Sequence, residues 1–172
     1  MKIAIIGIGS IGGLISGLIA NLEEHDLLLC TKSNLQKLEL ISNGLTIKNA
    51  ENEQININSN DFTIISEIDS IDEKWRFSCD LILICTKSHS TQNASLLAKK
   101  LISKEGFCIS VQNGIGNENV MSSIIGFDSV LGGVITHGAN KINLSTINWA
   151  GKGELIIGKM PLTKIKQNKI DQ

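Results

Sequence analysis

The first thirty residues change from the hydrophobic pattern of a strand to that of a helix and back again. A continuous apolar run, Ile3–Ile6, leads into a glycine-containing turn, and the apolar stretch Leu14–Leu22 follows. A short apolar run bounded by glycine is typical of a buried strand, whereas the longer stretch has helical spacing. This pattern predicts a strand over Lys2–Ile6, a helix over Ile11–Leu22 and a second strand over Asp26–Cys30.

Apolar runs and helical stretches continue to alternate farther along the chain. Asp80–Cys85 and Phe107–Val111 are continuous apolar runs, as in strands buried on both faces of a sheet. Between them, apolar residues recur at helical spacing over Thr91–Ser103. The other predicted elements are a helix over Leu35–Ser42 that stops at Asn43-Gly44, a strand over Phe62–Ile65, a loop or short helix over Asp69–Ser78, a short helix ending near Ile125, a strand over Ser129–Thr136, and a last strand over Glu154–Ile157 after a turn at Trp149–Gly153.

Two short segments instead alternate apolar and polar residues. Leu45–Lys48 and Ile55–Asn58 flank the polar segment Asn49–Gln54, which predicts an antiparallel hairpin, and we expect it at an edge of the sheet. Because buried strands alternate with helices elsewhere, the fold class predicted is α/β. We expect a Rossmann-like, doubly wound, mostly parallel sheet with this small hairpin as an insertion.

The turn after the first strand has the G-x-G-x-x-G spacing of a dinucleotide-binding fingerprint, set between a predicted strand and a predicted helix. In that interpretation Gly7 makes the tight turn, Gly9 lets a pyrophosphate approach the backbone, and Gly12 lets the helix pack closely on the strand. The phosphates then meet free N–H groups at the positive end of the helix dipole. The candidate cofactor-binding residues here are Gly7, Ile8, Gly9, Ser10, Ile11 and Gly12.

The same apolar stretch also has features of a membrane helix or a signal peptide, since no charge occurs between Lys2 and Glu23. Its glycines argue against both alternatives, because they are too many for an export core. The residues before Asn21 also lack a small-x-small cleavage pattern. We therefore expect no membrane association. The glycines concerned are Gly7, Gly9, Gly12, Gly13 and Gly17.

Composition excludes several other classes of function. A formal net charge of -1 and 3% aromatic residues provide no basic, aromatic surface for nucleic acid. The three histidines are scattered, so no metal-site spacing occurs. The cysteines form no C-x-x-C pair, which indicates reduced thiols in a cytoplasmic protein. They are Cys30, Cys79, Cys85 and Cys108.

Polar residues follow the predicted strands at the end where ligands bind in sheets of this kind. Right-handed crossovers place the carboxyl ends of parallel strands at one edge. Polar surface turns are common, so an incidental alignment is the alternative. The segments are Thr31-Lys32-Ser33, Thr86-Lys87-Ser88-His89, Gln112-Asn113-Gly114 and Thr136-His137-Gly138.

The tip of the second strand distinguishes between the two nicotinamide dinucleotides. An NAD site normally has Asp or Glu there to hold the ribose hydroxyl, and this chain has Thr31 and Lys32 instead. A cation beside hydroxyl donors suits a 2′-phosphate, so NADP is predicted as the cofactor. Lys32 is a point charge without the planar fork of arginine, and a solvated surface lysine is the alternative. A methyltransferase using S-adenosylmethionine would also usually require an acid at this tip.

Together these motifs resemble the ketopantoate reductase family, enzymes of pantothenate synthesis that reduce 2-dehydropantoate to pantoate with NADPH. The resemblance implies a small keto-acid substrate, with Lys87 and Asn113 at the place where nicotinamide meets substrate. Thr31 and Thr86, at the tips of two predicted strands, are further candidate cofactor-binding residues. The resemblance extends over nearly the whole chain. The segments that carry it are Gly7–Gly13, Lys32, Asn43–Leu45, Asp80–Lys87, Val111–Asn117, Gly132–Thr136 and Glu154–Gly158.

The chemistry of a 2-keto acid agrees with these candidates. Its reduction requires positive charge or donors for the carboxylate, polarisation of the ketone and a proton for the developing alkoxide. Lys87 is the candidate for the charge and Asn113 for a hydrogen bond to the cofactor or the keto oxygen. Asn113 as a turn residue and Lys87 as a solvated strand end are the structural alternatives. Ser88, His89 and His137 are weaker candidates.

The chain departs from the family pattern in two respects. The family commonly has arginine at the position of Lys32, and its second, helical domain supplies the lysine taken to be the general acid. We expect residues 1–158 to form the NADP-binding domain and residues 159–172 to be a linker or the start of that helical domain, absent here. Turnover would then be low, and the face left by the missing domain would favour self-association. The alternatives are a non-catalytic nucleotide-binding module and another keto-acid or 3-hydroxyacid dehydrogenase.

Overall fold

The computed structural model describes residues 1–22, 24–49, 51, 53–67 and 69–160. The strands are β1 (Lys2–Ile6), β2 (Asp26–Cys30), β3 (Leu45–Asn49), β4 (Gln54–Ile57), β5 (Thr63–Ile65), β6 (Cys79–Ile84), β7 (Ile102–Ser110), β8 (Val130–Ile135), β9 (Gly138–Lys141), β10 (Thr146–Gly151) and β11 (Leu155–Lys159). The α-helices are α1 (Ser10–Ala20), α2 (Asn34–Asn43), α3 (Thr91–Leu101) and α4 (Asn117–Ile125).

Seven strands in the described part of the chain form one large sheet, in the order β11-β8-β7-β6-β1-β2-β5. All neighbouring pairs are parallel except β11 with β8, which is antiparallel. The predicted mostly parallel α/β sheet is therefore confirmed. Its parallel strands all end at one edge, and the loops that follow them hold the predicted site residues.

The large sheet is covered on both faces, which explains its continuous apolar strands. Along β1, Ile3 and Ile5 belong to one buried cluster, and the alternate residues Ala4 and Ile6 belong to another. The first cluster includes residues of α1, α2 and a second sheet, whereas the second includes residues of α3 and α4. Successive side chains point to opposite faces of a strand, so each of these four residues has a buried environment.

The predicted hairpin forms, since β3 pairs antiparallel with β4 and places Leu45 opposite Ile57. Its predicted location at the edge of the sheet was wrong. Among the described residues, β3 and β4 instead belong to a second sheet in the order β4-β3-β10-β9, where β3 pairs parallel with β10.

Strands β9 and β10 were not predicted, and the turn expected at Trp149–Gly153 was wrong over Trp149–Gly151, which belongs to β10. The two strands contain Gly, Ala and Asn, residues that are depleted in strands. Packing on α1, through residues such as Ile147, stabilises them in spite of this composition.

The helix α1 lies between the two sheets, and its glycines permit this close packing. A Cβ atom on Gly13 would lie 2.7 Å from Ile147, and one on Gly17 would lie 2.6 Å from Ile47. Ile147 and Ile47 are both buried in the second sheet. The glycine content that argued against a membrane helix is thus explained by packing against β-strands. No helix of the described residues is long and apolar enough to cross a bilayer.

Most other predicted boundaries agree within a few residues, and β7 shows the largest difference. It begins at Ile102, five residues before the predicted start, so the helix expected to reach Ser103 ends at Leu101. Ile102 continues the apolar spacing of the helix, and the sequence pattern alone extends the helix through it.

All four cysteines are free thiols, as predicted. Burial raises the pKa of the Cys79 thiol to about 12.

Candidate functional site

The glycine loop between β1 and α1 has the conformation that its motif predicts. Gly7 has a φ of +99°, a conformation that favours glycine, and a Cβ atom there would lie 2.7 Å from the Thr86 methyl group. A Cβ atom on Gly12 would collide with the carbonyl oxygen of Gly7. On Gly9, by contrast, it would meet no described atom within 4 Å. Two glycines are therefore required by the fold, and Gly9 faces open space.

The N-terminus of α1 has the features of an anion-binding site. Among the described residues no side chain caps this helix, whereas the Ser33 hydroxyl accepts a hydrogen bond of 3.2 Å from the Gln36 amide at the start of α2. The first turn of α1 contains no acid. The leading N–H groups of a helix have no intrahelical acceptor and carry partial positive charge. A phosphate beside Gly9 would accept hydrogen bonds from these N–H groups and would compensate their partial positive charge.

A buried glutamine fixes the glycine loop relative to the tip of β2. The Gln36 side-chain amide donates to the carbonyls of Ile8 at 2.8 Å and Leu144 at 3.1 Å. Its oxygen accepts from the Thr31 hydroxyl at 2.7 Å. Thr31 is buried, and its hydroxyl proton is committed to Gln36, so its side chain positions this loop. Sequence reasoning missed Gln36, because a glutamine in a helix has the pattern of a surface residue.

A cavity of about 420 Å³ opens at the carboxyl ends of β1, β2 and β6, beside α3. This volume lies within the range of small-molecule sites. Four predicted cofactor-binding residues line it, namely Gly7, Thr31, Lys32 and Thr86. Its other described lining residues include the apolar Cys30, Ile65, Ile71, Ala94 and Leu97 and the polar or charged Ser66, Glu67, Asp69, Arg76, Ser90, Asn93 and Lys100. A lining of apolar residues together with polar and charged ones suits a nucleoside.

Two acids that follow β5, Glu67 and Asp69, line this cavity, although none follows β2 directly. The Asp69 carboxylate accepts from the Ser66 backbone N–H at 2.6 Å and forms an ion pair with Lys37 at 2.8 Å. The hydrogen bond from Lys37, followed by that from Ser66, lowers the pKa of Asp69 to about 2. Its negative charge is therefore compensated within the protein. Spacing along the chain does not indicate this pair, since 32 residues separate its members.

A second buried amide joins the loops after β6 and β7. The Gln112 side chain donates to the Thr86 carbonyl and to the Thr86 hydroxyl, both at 3.1 Å, and to the Thr91 hydroxyl at 2.9 Å. Thr91 is also 3.0 Å from the Asn117 side-chain oxygen, so the starts of α3 and α4 belong to the same network. The sequence placed Gln112 at a strand tip but assigned it no role.

The backbone of Asn113 is held by this network. Its carbonyl accepts hydrogen bonds from the Ser88 hydroxyl at 2.8 Å and from the Asn117 amide at 3.2 Å. These contacts bring the loop that carries Lys87 against the loop that carries Asn113. The side chains of Lys87 and Asn113 are exposed, and neither is among the described residues that line the cavity.

His137 follows β8 at the same edge of the sheet, and its ring is held from one side. Its Nδ1 accepts from the Trp149 indole N–H at 3.2 Å and from the Gly153 backbone N–H at 3.1 Å. The contacts of His137 are therefore structural, since they hold β10 against the end of β8. His89 is exposed.

Comparison with known families and proteins agrees with this geometry. Residues 3–161 match the family model described as ketopantoate reductase PanE/ApbA. The 2-dehydropantoate 2-reductase of Pyrococcus abyssi is 36% identical over 166 residues, which are 96% of this chain and 50% of that protein. The chain thus spans about half the length of the curated relatives it matches.

Solved structures show the same fold. A PanE/ApbA family ketopantoate reductase from Ralstonia eutropha superposes with a TM-score of 0.77 at 25% identity, over 91% of this chain and 49% of that one. D-mandelate dehydrogenase in a ternary structure with NADH and anilino(oxo)acetate also gives a TM-score of 0.77, at 22% identity, over 91% of this chain and 48% of that one. The similarity again covers about half of each neighbour.

Proposed function

Because the chain belongs to the ketopantoate reductase PanE/ApbA family, we propose that it is the cofactor-binding half of an enzyme that reduces 2-dehydropantoate to pantoate with NADPH. The observation that carries this proposal is the assembly of three features at one sheet edge. They are the open glycine loop, the cavity at Lys32 and the loops that carry Lys87 and Asn113.

The described residues fit a dinucleotide. Gly9 and the uncapped start of α1 offer a cradle for the pyrophosphate, and the cavity of about 420 Å³, lined by both apolar and polar residues, would hold the adenosine. Lys32, which is exposed at the mouth of the cavity, would bind the 2′-phosphate of NADPH. Asp69, which follows β5, is already paired with Lys37, and the tip of β2 carries Lys32 where an NAD site normally has an acid. These features support NADPH over NADH.

The chain's own residues would position and polarise the substrate. Bound NADPH would supply a hydride to the keto carbon. The Lys87 ammonium would attract the substrate carboxylate, and the Asn113 amide would donate a hydrogen bond to the keto oxygen or to the nicotinamide. The hydrogen bonds to the Asn113 carbonyl hold that loop in place before substrate arrives. We assign the proton donor to no described residue and expect little turnover from these 172 residues.

The second candidate is reduction of another 2-keto acid with NADH. The likeness to D-mandelate dehydrogenase, whose structure holds NADH, favours this candidate. The first candidate is supported by the 36% identity to a 2-dehydropantoate 2-reductase.

Separate titrations of NADPH and NADH into the chain, followed by the fluorescence of the reduced nicotinamide, test the proposal. We expect NADPH to bind more tightly by about tenfold, the effect of one charge-assisted contact to the 2′-phosphate. Equal affinities would remove the proposed cofactor preference. Tighter binding of NADH would favour the second candidate, and binding of neither would contradict the proposed function.

A further inference from the structure

A lysine of the second sheet lies beside the glycine loop. The backbone N–H of Lys141, the last residue of β9, donates to the Ser10 hydroxyl oxygen at 3.1 Å. Ser10 is the first residue of α1, where the proposed pyrophosphate would lie. We propose that Lys141 is a further cofactor-binding residue, whose ammonium contacts the pyrophosphate of the dinucleotide. This inference rests on the proposed function and adds a residue from outside the glycine motif.

The strand register places Lys141 on the face of the second sheet that covers α1. Lys141 lies directly opposite Ile147 in the antiparallel pair of β9 and β10. Residues opposite each other project to the same face of a sheet. Ile147 packs against the position of Gly13 in α1. The Lys141 side chain therefore starts from the inner face, near the first turn of that helix.

The charge of Lys141 has no counterion among the described residues. No hydrogen bond or ion pair within that part of the chain holds its Nζ atom. The residue is half-buried, and burial lowers its pKa. The nearby first turn of α1 contains no acid. A cation is disfavoured near the positive end of a helix, and partial burial without a partner adds to its cost.

An anion at the glycine loop would compensate both the charge of Lys141 and the partial positive charge at the start of α1. Gly9 leaves open space at this position, and a diphosphate there would face the helix N–H groups. The pyrophosphate is common to NADPH and NADH, whereas the 2′-phosphate assigned to Lys32 occurs only in NADPH. The two lysines therefore make different predictions for the two dinucleotides.

The test compares Lys141→Met with Lys48→Met in the full 172-residue chain. Lys48 also belongs to the second sheet, but its neighbour Ile47 packs against Gly17, so Lys48 starts from the outer face. Calorimetric titration at low ionic strength gives Kd for NADPH and NADH. We expect Lys141→Met to raise both Kd values by about tenfold, since each loses one charge-assisted contact. Lys48→Met is expected to leave both values unchanged.

The melting temperature of the unliganded protein is the second measurement. Lys141→Met removes an uncompensated cation, so we expect its melting temperature to equal or exceed that of the parent. Unchanged Kd values for both dinucleotides would overturn the inference while the parent's binding upholds the proposed function. Weaker binding together with a lower melting temperature would also overturn it, because Lys141 would then be structural. A parent that binds neither dinucleotide would contradict both proposals.

Discussion

The two ends of the proposed cofactor site differ in how completely the chain builds them. At the adenosine end, a cavity lined by apolar and polar residues is already formed, and the buried Gln36 ties the glycine loop to the tip of β2. At the nicotinamide end, Lys87 and Asn113 are exposed. Buried polar contacts at that end, centred on Gln112, fix the loops and leave these two side chains in solvent.

This difference indicates that the chain by itself provides more of what cofactor binding requires than of what hydride transfer requires. Binding depends on backbone conformation and a preformed cavity, which one sheet edge supplies. Hydride transfer to a keto acid also requires exclusion of water and a held substrate. The chain spans about half the length of its relatives, and the exposed end is the one where we expect further protein to be needed.

Gly12→Ala provides the largest expected effect on the adenosine end. The added methyl group would collide with the Gly7 carbonyl, and we expect a destabilisation of about 3 kcal/mol with loss of dinucleotide binding. Thermal unfolding measures the first effect and titration of NADPH the second.

Gly9→Ala is the matched variant, because its Cβ atom would meet open space and its φ of -91° suits alanine. We expect an unchanged melting temperature with weaker binding of NADPH. If both variants melted at the temperature of the parent, the close packing of α1 on β1 would make no contribution to stability.

Gln112→Leu tests whether the nicotinamide end depends on its buried network. The change would leave the Thr86 and Thr91 groups without their donor, at a cost of about 1–3 kcal/mol of unfolding free energy. Asn113→Ala, at an exposed side chain, is the control, and we expect it to alter stability by less than about 0.5 kcal/mol. Equal losses in chemical denaturation would show that the network has no special role.

Lys32→Ala tests the proposed contact with the 2′-phosphate at the mouth of the cavity. Loss of its charge should weaken NADPH binding by about tenfold, equivalent to about 1.4 kcal/mol, and leave NADH binding unchanged. Lys99→Ala removes an exposed lysine of α3 that is not among the described cavity residues, and it should change neither affinity. An equal loss for both dinucleotides would assign Lys32 to a group other than the 2′-phosphate.

Low pH should reduce the stability of the folded protein through protonation of Asp69 at the adenosine end. The pKa of this carboxyl is lowered from 3.8 to about 2 in the folded protein, so its stabilising contribution is complete above about pH 4 and is lost as the pH falls towards 2. The carboxylate is partly exposed, and we expect the contribution to be about 1 kcal/mol. Denaturation of Asp69→Asn and the parent should therefore differ at pH 6 and converge near pH 2. A constant difference would contradict this.

The glycine loop could be predicted from sequence because its requirements are local and steric. Gly7 needs a positive φ and Gly12 a close approach to the backbone, so both follow from spacing between a strand and a helix. The side chains that hold the loops could not be predicted in this way. Gln36 bonds to residues 28 and 108 positions away, and only the folded chain brings these groups together.

The second sheet shows the same limit for the fold. Alternation of apolar and polar residues predicted the pairing of β3 with β4, because a hairpin is formed by neighbours in sequence. The strand β9 contains only Gly, Ala, Asn and Lys, and β10 combines Thr, Ile and Trp with Asn, Ala and Gly, so both depend on packing against α1, which no local pattern reveals. Lys141 reaches the glycine loop only through this sheet, so its proposed role also required the structure.

One measurement tests most directly whether this chain binds the cofactor without completing the reaction. The fluorescence of NADPH is followed as the 172-residue protein is added, and 2-dehydropantoate is then supplied to the same sample. We expect a saturable change on binding and then a stable signal, because bound NADPH would not be oxidised. No binding would contradict the cofactor assignment. Steady oxidation after addition of the keto acid would show that the exposed end at Lys87 and Asn113 is already a working catalytic site.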